Sequence, residues 1–190
     1  MESARKPVEL DTLSDRFVYR GQAFRLPIAG SFQSKNLSVT LALLEEMGEV
    51  PRDIAAASTG LSIPGRMELV SGEPVVLHDG AHNPPAVNEL LDDLPSGLVC
   101  VFNCLGTKRT QEMIRALEHK VDRFVMTETS RPSSVPAQDL ADRTQLPADA
   151  VANPLEAQQT AETVAGQNGV VLVTGSLYLL GEIRSSHPSF

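Results

Sequence analysis

The sequence predicts an α/β protein: a doubly wound, mostly parallel sheet with helices on both faces, preceded by a small α+β segment. Three observations predict it. Uninterrupted apolar runs such as LVCVFN (98–103) and VVLVTG (170–175) suit strands covered on both sides, as in parallel sheets. Segments with helical spacing alternate with those runs, at intervals that right-handed crossovers require. Polar clusters follow the runs: HDGAHN (78–83), NCLGTK (103–108) and VTGS (173–176) stand at the carboxyl ends, where such sheets bind ligands.

Taken in order, FVYRGQAFRLPI (17–28) reads as a hairpin turning near Gly21, and KNLSVTLALLEEM (35–47) as a helix closed by Gly48. Pro51 starts a short helix ending before Gly60, and LSIPGRMELV reads as a linker. Residues 1–62 thus form a segment too small to bury much surface alone, and residues 63–190 form the sheet domain. In the second part VVL (75–77) is a short buried strand. Asn83 and Pro84 supply an N-cap and a first-turn proline for a helix whose Ala86, Val87, Leu90, Leu91 and Leu94 share one face. After the strand at 98–103, Thr107 is placed to cap a helix carrying Met113, Ala116 and Leu117 inward. Phe124 to Met126 make another strand. Ser134 is placed to cap a short helix from Pro136, and Asn153-Pro154 opens a helix to about Ala165, with Gly166 and Gly169 near its end. The strand at 170–175 is followed by the helix SLYLLGEIR.

Composition narrows the function classes. With 42% hydrophobic and 21% charged residues, this is an ordinary globular make-up, without an apolar run long enough to span a bilayer. MESARKPVEL has no apolar signal core, so the expectation is a cytoplasmic protein with no membrane role. A net charge of -8 with scattered Lys and Arg argues against nucleic acid as a partner. Cys100 and Cys104 have no second pair and no nearby histidine, which reads as core thiols and not as a zinc site.

The candidate chemistry sits at the strand ends. His78 and His82 are four apart, yet the strand-to-loop context does not keep them on one face and no glutamate follows the first, which disfavours a metal site. Asp79 is either a turn-stabilising aspartate or a carboxylate bonding a ribose hydroxyl or substrate ammonium, with Gly80 permitting close approach. His82 is either a capping residue or a group that orients a phosphate or carboxylate. Arg66 is a solvated arginine or an anion contact. Lys108, if functional, meets an anion at a helix N-terminus. Gly175 and Ser176 form a tight turn that can offer amides and a hydroxyl to an anion. The 190 residues contain no G-x-x-x-x-G-K-[ST], G-x-G-x-x-G, G-x-S-x-G or H-E-x-x-H.

Together, PGRME (64–68), DGAHNPPA (79–86) and VTGSLYLLGEIR (173–184), in this order and with thirteen residues from Arg66 to Asp79, resemble the C-terminal signatures of folylpolyglutamate synthase and dihydrofolate synthase, members of the Mur ligase superfamily. GSFQSKNLSVTLALLEEM (30–47) is similar to the end of that family's central ATPase domain. The resemblance implies a Rossmann-like C-terminal domain preceded by a remnant of the ATPase domain. It implies an ATP-dependent amide ligase that adds L-glutamate to a folate or to dihydropteroate through an acyl phosphate, with magnesium at the phosphates. By position, Asn36, Arg66 and Asp79 match ATP contacts, and His82 and Ser176 line the glutamate side.

The chain also departs from the family pattern. The family's P-loop, its magnesium ligands and its folate-binding loops belong to an N-terminal region absent from these residues, which implies an incomplete ligase. An alternative is a non-catalytic module that binds nucleotide and amino acid beside a separate P-loop ATPase subunit. A third reading is a ligase of peptidoglycan precursors, although those carry D-Y-A-H where this chain has DGAH. Lys108 is followed by Arg109 where the family commonly has Lys-Asp, and Ile63 stands where an aromatic often precedes PGR.

Overall fold

The computed structural model describes residues 16–25, 28–48, 62–106 and 109–186. Contacts divide the chain into two units, Met1–Glu68 and Leu69–Phe190, where the sequence reading put the division at 62/63.

In the first unit β1 (Arg16–Tyr19) and β2 (Gln22–Arg25) form an antiparallel hairpin with Tyr19 opposite Gln22. Its two turn residues, Arg20 and Gly21, both have positive φ (46° and 81°), the twist that a two-residue hairpin needs. Helix α1 (Phe32–Glu46) follows and closes at Met47 and Gly48. Tyr19 donates its hydroxyl to Glu45 at 3.0 Å, tying hairpin to helix. The helix expected from Pro51 lies outside the described residues.

The six-stranded sheet has the order β3-β4-β8-β5-β6-β7. Its strands are β3 (Glu68–Gly72), β4 (Val75–His78), β5 (Leu98–Phe102), β6 (Val121–Met126), β7 (Ala148–Ala150) and β8 (Val170–Thr174). The pairs β4/β8, β8/β5, β5/β6 and β6/β7 are parallel. Only two residues join β3 to β4, so that edge pair must run antiparallel. The expected linker LSIPGRMELV is therefore in part a strand, and β7 is a further strand that the sequence reading did not contain.

Chain order explains the layers. Helices α2 (Pro84–Asp92) and α3 (Thr110–Leu117) carry the chain from β4 to β5 and from β5 to β6, while α5 (Pro154–Ala165) carries it back from β7 to β8. With right-handed crossovers, reversing direction along the sheet moves the helix to the opposite face. On that face Val76, Val99, Val101, Val125, Val171 and Val173 meet Ala157 and Ala161 of α5 and Leu179, Leu180 and Ile183 of α6 (Leu177–Ser186). The alternate residues Leu77, Cys100, Phe102, Phe124, Met126 and Leu172 point the other way and are also buried. Val87, Leu90 and Leu91 of α2 and Met113, Ile114 and Leu117 of α3 are buried too, and these two helices touch.

The caps show where local chemistry agrees with the sequence reading and where it does not. Asn83 caps α2 through Ala86 N at 3.0 Å, and Asn153 caps α5 through Leu155 N and Glu156 N. The short helix α4 (Ala137–Ala141) has Pro136, not Ser134, at its N-cap. Ser134 Oγ instead accepts from Thr129 N at 2.8 Å, and Glu128 accepts from Ala137 N. Thr107 and Lys108 lie outside the described residues; Arg109 occupies the N-cap of α3. Among the described residues, no helix is long and apolar enough to cross a membrane.

Candidate functional site

The strand order creates a crevice. β8 lies between β4 and β5, yet the chain leaves β4 and β5 toward one face and β8 toward the other, so the three carboxyl ends part around a gap. A pocket of about 530 Å³ fills that gap. Its walls are His82, Asn83 and Pro84 after β4, Cys104, Leu105 and Arg109 after β5, and Gly175 to Tyr178 after β8.

Gly175 holds the three ends in register. Its amide donates to Ala81 O at 3.0 Å, and its φ of 104° is one that L side chains rarely adopt. A Cβ there would stand 2.2 Å from Asn103 O and 2.6 Å from the Phe102 ring, so only glycine lets the β8 turn pass beside the end of β5. Asn103 is itself buried and donates to Thr127 O at 2.8 Å, to Ser134 Oγ at 3.1 Å and to Val135 O at 3.3 Å. This network fixes the β5 end against the β6 end. Sequence reasoning did not single out Asn103, and a polar residue ending an apolar run was the only sign of it.

Asp79 is buried. Its amide donates to Val173 O at 3.0 Å, extending the β4/β8 ladder, and its Oδ1 accepts from Ala81 N at 2.8 Å. That bond is the turn-stabilising role the sequence left open, and it also shapes the loop that carries His82. His82 is exposed on the pocket wall, with Nδ1–H donating to Gly80 O at 2.9 Å. In the neutral ring this leaves Nε2 as an acceptor. Ser176 is buried on the opposite wall, where Oγ accepts from Tyr178 N at 3.1 Å, a bond that does not use its hydroxyl hydrogen. His82 and Ser176 thus share one pocket, which Asp79 does not line.

Asn36 and Arg66 lie on the N-terminal side of the division after Glu68. Asn36 is exposed on α1 and its amide donates to Gln33 Oε1 at 3.2 Å. Arg66 is half-buried in the turn before β3, where Gly65 N donates to Glu68 Oε2 at 2.8 Å and Arg66 N to Ile63 O.

His78 points elsewhere than His82. It is buried, with Nε2 bonded to Gln158 Oε1 of α5 at 2.9 Å. Cys100 and Cys104 are free and buried, and burial pushes both thiols up from the ordinary range. Arg109, which lines the pocket, stands out in the sequence only as a departure from the family pattern. Its N-cap backbone has φ 58° and ψ 25°, and its guanidinium forks onto Glu112, with Nε donating to Oε1 at 2.7 Å and Nη2 to Oε2. The pairing holds the Glu112 carboxyl below the usual range.

A comparison with known proteins gives this geometry a family. A dihydrofolate synthase/folylpolyglutamate synthase from Bacillus subtilis is 30% identical over 174 residues, covering 84% of this chain and 40% of the relative. A UDP-N-acetylmuramoyl-L-alanyl-D-glutamate–2,6-diaminopimelate ligase from Xylella fastidiosa is 35% identical over 116 residues, covering 55% of this chain and 23% of the relative. The chain therefore spans less than half the length of these relatives. A crystal structure of Mycobacterium tuberculosis folylpolyglutamate synthase complexed with ADP and AMPPCP superposes with a TM-score of 0.78 at 23% identity, over 90% of this chain and 46% of that one, a likeness of fold. The family model for the Mur ligase glutamate ligase domain matches residues 65–177. That match spans the turn holding Arg66, the DGAHNP loop and the Gly175 turn, and the chain belongs to the Mur ligase family.

Proposed function

We propose that this chain is the C-terminal portion of a cytoplasmic, ATP-dependent ligase that joins L-glutamate to a folate or to dihydropteroate. The observation that carries the reading is the crevice itself: the DGAHNP loop and the Gly175-Ser176 turn meet at the strand ends in a chain matched by the glutamate ligase domain. In this reading His82 and Ser176 face the glutamate, with His82 Nε2 placed to accept from its amine and the Ser176 hydroxyl to donate to a carboxylate. Asn36, Arg66 and Asp79 contact ATP, Arg66 at phosphate charge and Asp79 on the ribose or adenine side.

The chemistry is acyl transfer in two steps. The γ-phosphoryl group passes to the acceptor carboxylate, giving an acyl phosphate and ADP. The glutamate amine then attacks the acyl carbon, and the C–O bond to phosphate breaks as the amide forms. Magnesium supplies charge neutralisation at the phosphates when bound. Among the described residues no three His, Cys, Asp or Glu side chains gather as metal ligands. The 190 residues also carry no P-loop, so turnover requires a P-loop wall in addition, whether in the same polypeptide or as a separate ATPase subunit.

A second reading, ligation of a diamino acid to a peptidoglycan precursor, is favoured by the 35% identity to the Xylella ligase. Gly80 in place of a tyrosine weighs against it. One assay separates the readings. Phosphate release is measured with ATP, magnesium and either L-glutamate plus dihydropteroate, L-glutamate plus tetrahydrofolate, or diaminopimelate plus its nucleotide-linked dipeptide. The chain is tested alone and mixed with the P-loop-containing portion of the Bacillus relative. The expected result is no turnover alone and glutamate-dependent turnover on mixing. Substantial folate-dependent release by the purified chain alone would overturn the need for a second wall. Arg66→Ala and Asp79→Ala should each slow the mixed enzyme by about tenfold or more, since each removes a charged contact. Unchanged kinetics in both would remove the ATP assignment.

A further inference from the structure

We propose that Arg109 grips a carboxylate of the amino-acid substrate in the strand-end crevice and thereby selects a dicarboxylic amino acid over neutral ones. The inference rests on the amino-acid reading of that crevice and adds to it the residue that sets the ligand's charge.

The crevice differs from the rest of the molecule in charge. The chain carries a net charge of -8, yet among the described residues lining this pocket none is an aspartate or glutamate, and the one arginine is Arg109. Pro84, Arg109 and Leu177, which begin or cap α2, α3 and α6, are also on the wall. Their helix N-termini add positive potential to that of the guanidinium. A carboxylate entering here meets the Arg109 guanidinium and three helix N-termini, with the Glu112 carboxylate already on one side of the guanidinium.

Arg109 is held in a conformation that its own helix does not require. It sits at the α3 N-cap in the left-handed region, φ 58°, and makes no side-chain cap bond, whereas a residue chosen for capping would be Ser, Thr, Asn or Asp. Strain of this kind at a cleft is a reason to look for a ligand role. Its guanidinium is partly used: Nε–H and one Nη2–H go to Glu112, which leaves both Nη1 hydrogens and the other Nη2 hydrogen for a ligand. The pair with Glu112 is exposed, 56% and 51%, so water and salt compete with it. Glu112 therefore orients the fork without closing it, and a ligand carboxylate can share it or take it over. Ser176 and His82 on the neighbouring walls then meet the ligand's remaining polar groups.

The test uses the 190-residue chain, isotope-labelled, titrated with L-glutamate and with L-glutamine while the amide resonances of His82, Gly175 and Ser176 are monitored. The expected result is that L-glutamate shifts them with an affinity about tenfold or more above that of L-glutamine. Arg109→Gln should erase that preference while leaving L-glutamine binding in place, and Arg109→Lys should keep part of it. Because Arg109 is exposed, unchanged far-ultraviolet dichroism should accompany both variants. If Arg109→Gln retains the full preference for L-glutamate, this proposal is overturned and the amino-acid site stands. If neither amino acid moves these amides in the unsubstituted chain, the amino-acid reading of the crevice fails and takes this proposal with it.

Discussion

Helices α1 and α2 both place apolar residues at helical spacing, and they end in opposite environments. In α2, Val87, Leu90 and Leu91 are buried against the rest of the sheet domain. On α1, Leu41 is buried, but Val39 and Leu43, with Met47 at its C-cap, are 63%, 61% and 77% exposed. Periodicity announces a helix in both cases. It does not say what covers the helix. In the second unit the cover is present, because two layers of helices close both faces of one sheet. Among the described residues of the first unit, one hairpin and one helix leave a row of apolar side chains in water. The stability of this chain should therefore be concentrated in Leu69–Phe190, and substitutions on either side of the division can contradict or refine that contrast.

Gly175 should be the most sensitive position. An added Cβ would meet backbone at 2.2 Å and an aromatic ring at 2.6 Å, in a conformation that L residues disfavour. Gly175→Ala should cost about 4 kcal/mol or more, since left-handed strain and a clash with backbone add together. Denaturant unfolding monitored by circular dichroism should show loss of the main transition, not a small shift of it. A near-native transition would mean that the strand ends can part without harm and that the crevice is not rigid.

Leu90→Ala comes next. The side chain is fully buried on the α2 face, so its removal should cost about 3 kcal/mol, from lost transfer free energy and the cavity left behind. The midpoint of urea unfolding measures it.

Alkaline pH just above the ordinary thiol range reads the sheet unit through its cysteines, because both lie there. Cys100 and Cys104 are neutral and buried in the folded chain, with their thiols pushed up by burial. Above about pH 8.5 the unfolded chain releases these protons and the folded chain does not. The unfolded state then binds fewer protons, so stability falls as pH rises, by at most about 1.4 kcal/mol per pH unit for each thiol. Below that pH the contribution is fully present. Cys100→Ala should flatten the slope above about pH 9, measured by unfolding at each pH. An unchanged slope would mean that water reaches β5.

How much of this was legible obeys the same division between pattern and cover. Strands β4, β5, β6 and β8 and helices α2 and α5 announce themselves, because burial on both faces leaves continuous apolar runs and because Asn83-Pro84 and Asn153-Pro154 cap locally. Strand β3 does not, since it lies at an edge, leaves Leu69 48% exposed and comes after a Pro-Gly turn that reads as linker. Strand β7 is three residues, ADA, held to β6 by backbone pairing, and nothing in its side chains asks for a strand. At the site, His82 and Ser176 could be placed because a strand end followed by a helix start predicts a shared crevice. Asp79 could not be settled from sequence, since the bond to Ala81 N serves a turn whether or not a ligand arrives. Arg109 was hidden by its conformation: a left-handed arginine at an N-cap obeys no capping preference, so only the folded chain shows it on the wall.

Leu43 should be the least sensitive position, and it is the most direct probe of the contrast. Leu43 and Leu90 are the same residue type on helices of one chain, and transfer from water is what distinguishes them. With Leu43 already 61% exposed, Leu43→Ala removes little buried surface, and alanine's higher helix propensity offsets part of that loss. The change in unfolding free energy should fall within about 0.5 kcal/mol, against about 3 kcal/mol for Leu90→Ala. A cost at Leu43 approaching that at Leu90 would show that the α1 row is covered in solution, and the contrast between the two units would then describe packing partners and not intrinsic stability. A negligible cost, together with no change in the Leu90-sensitive transition, would place the folding free energy in the sheet unit, where the crevice is built.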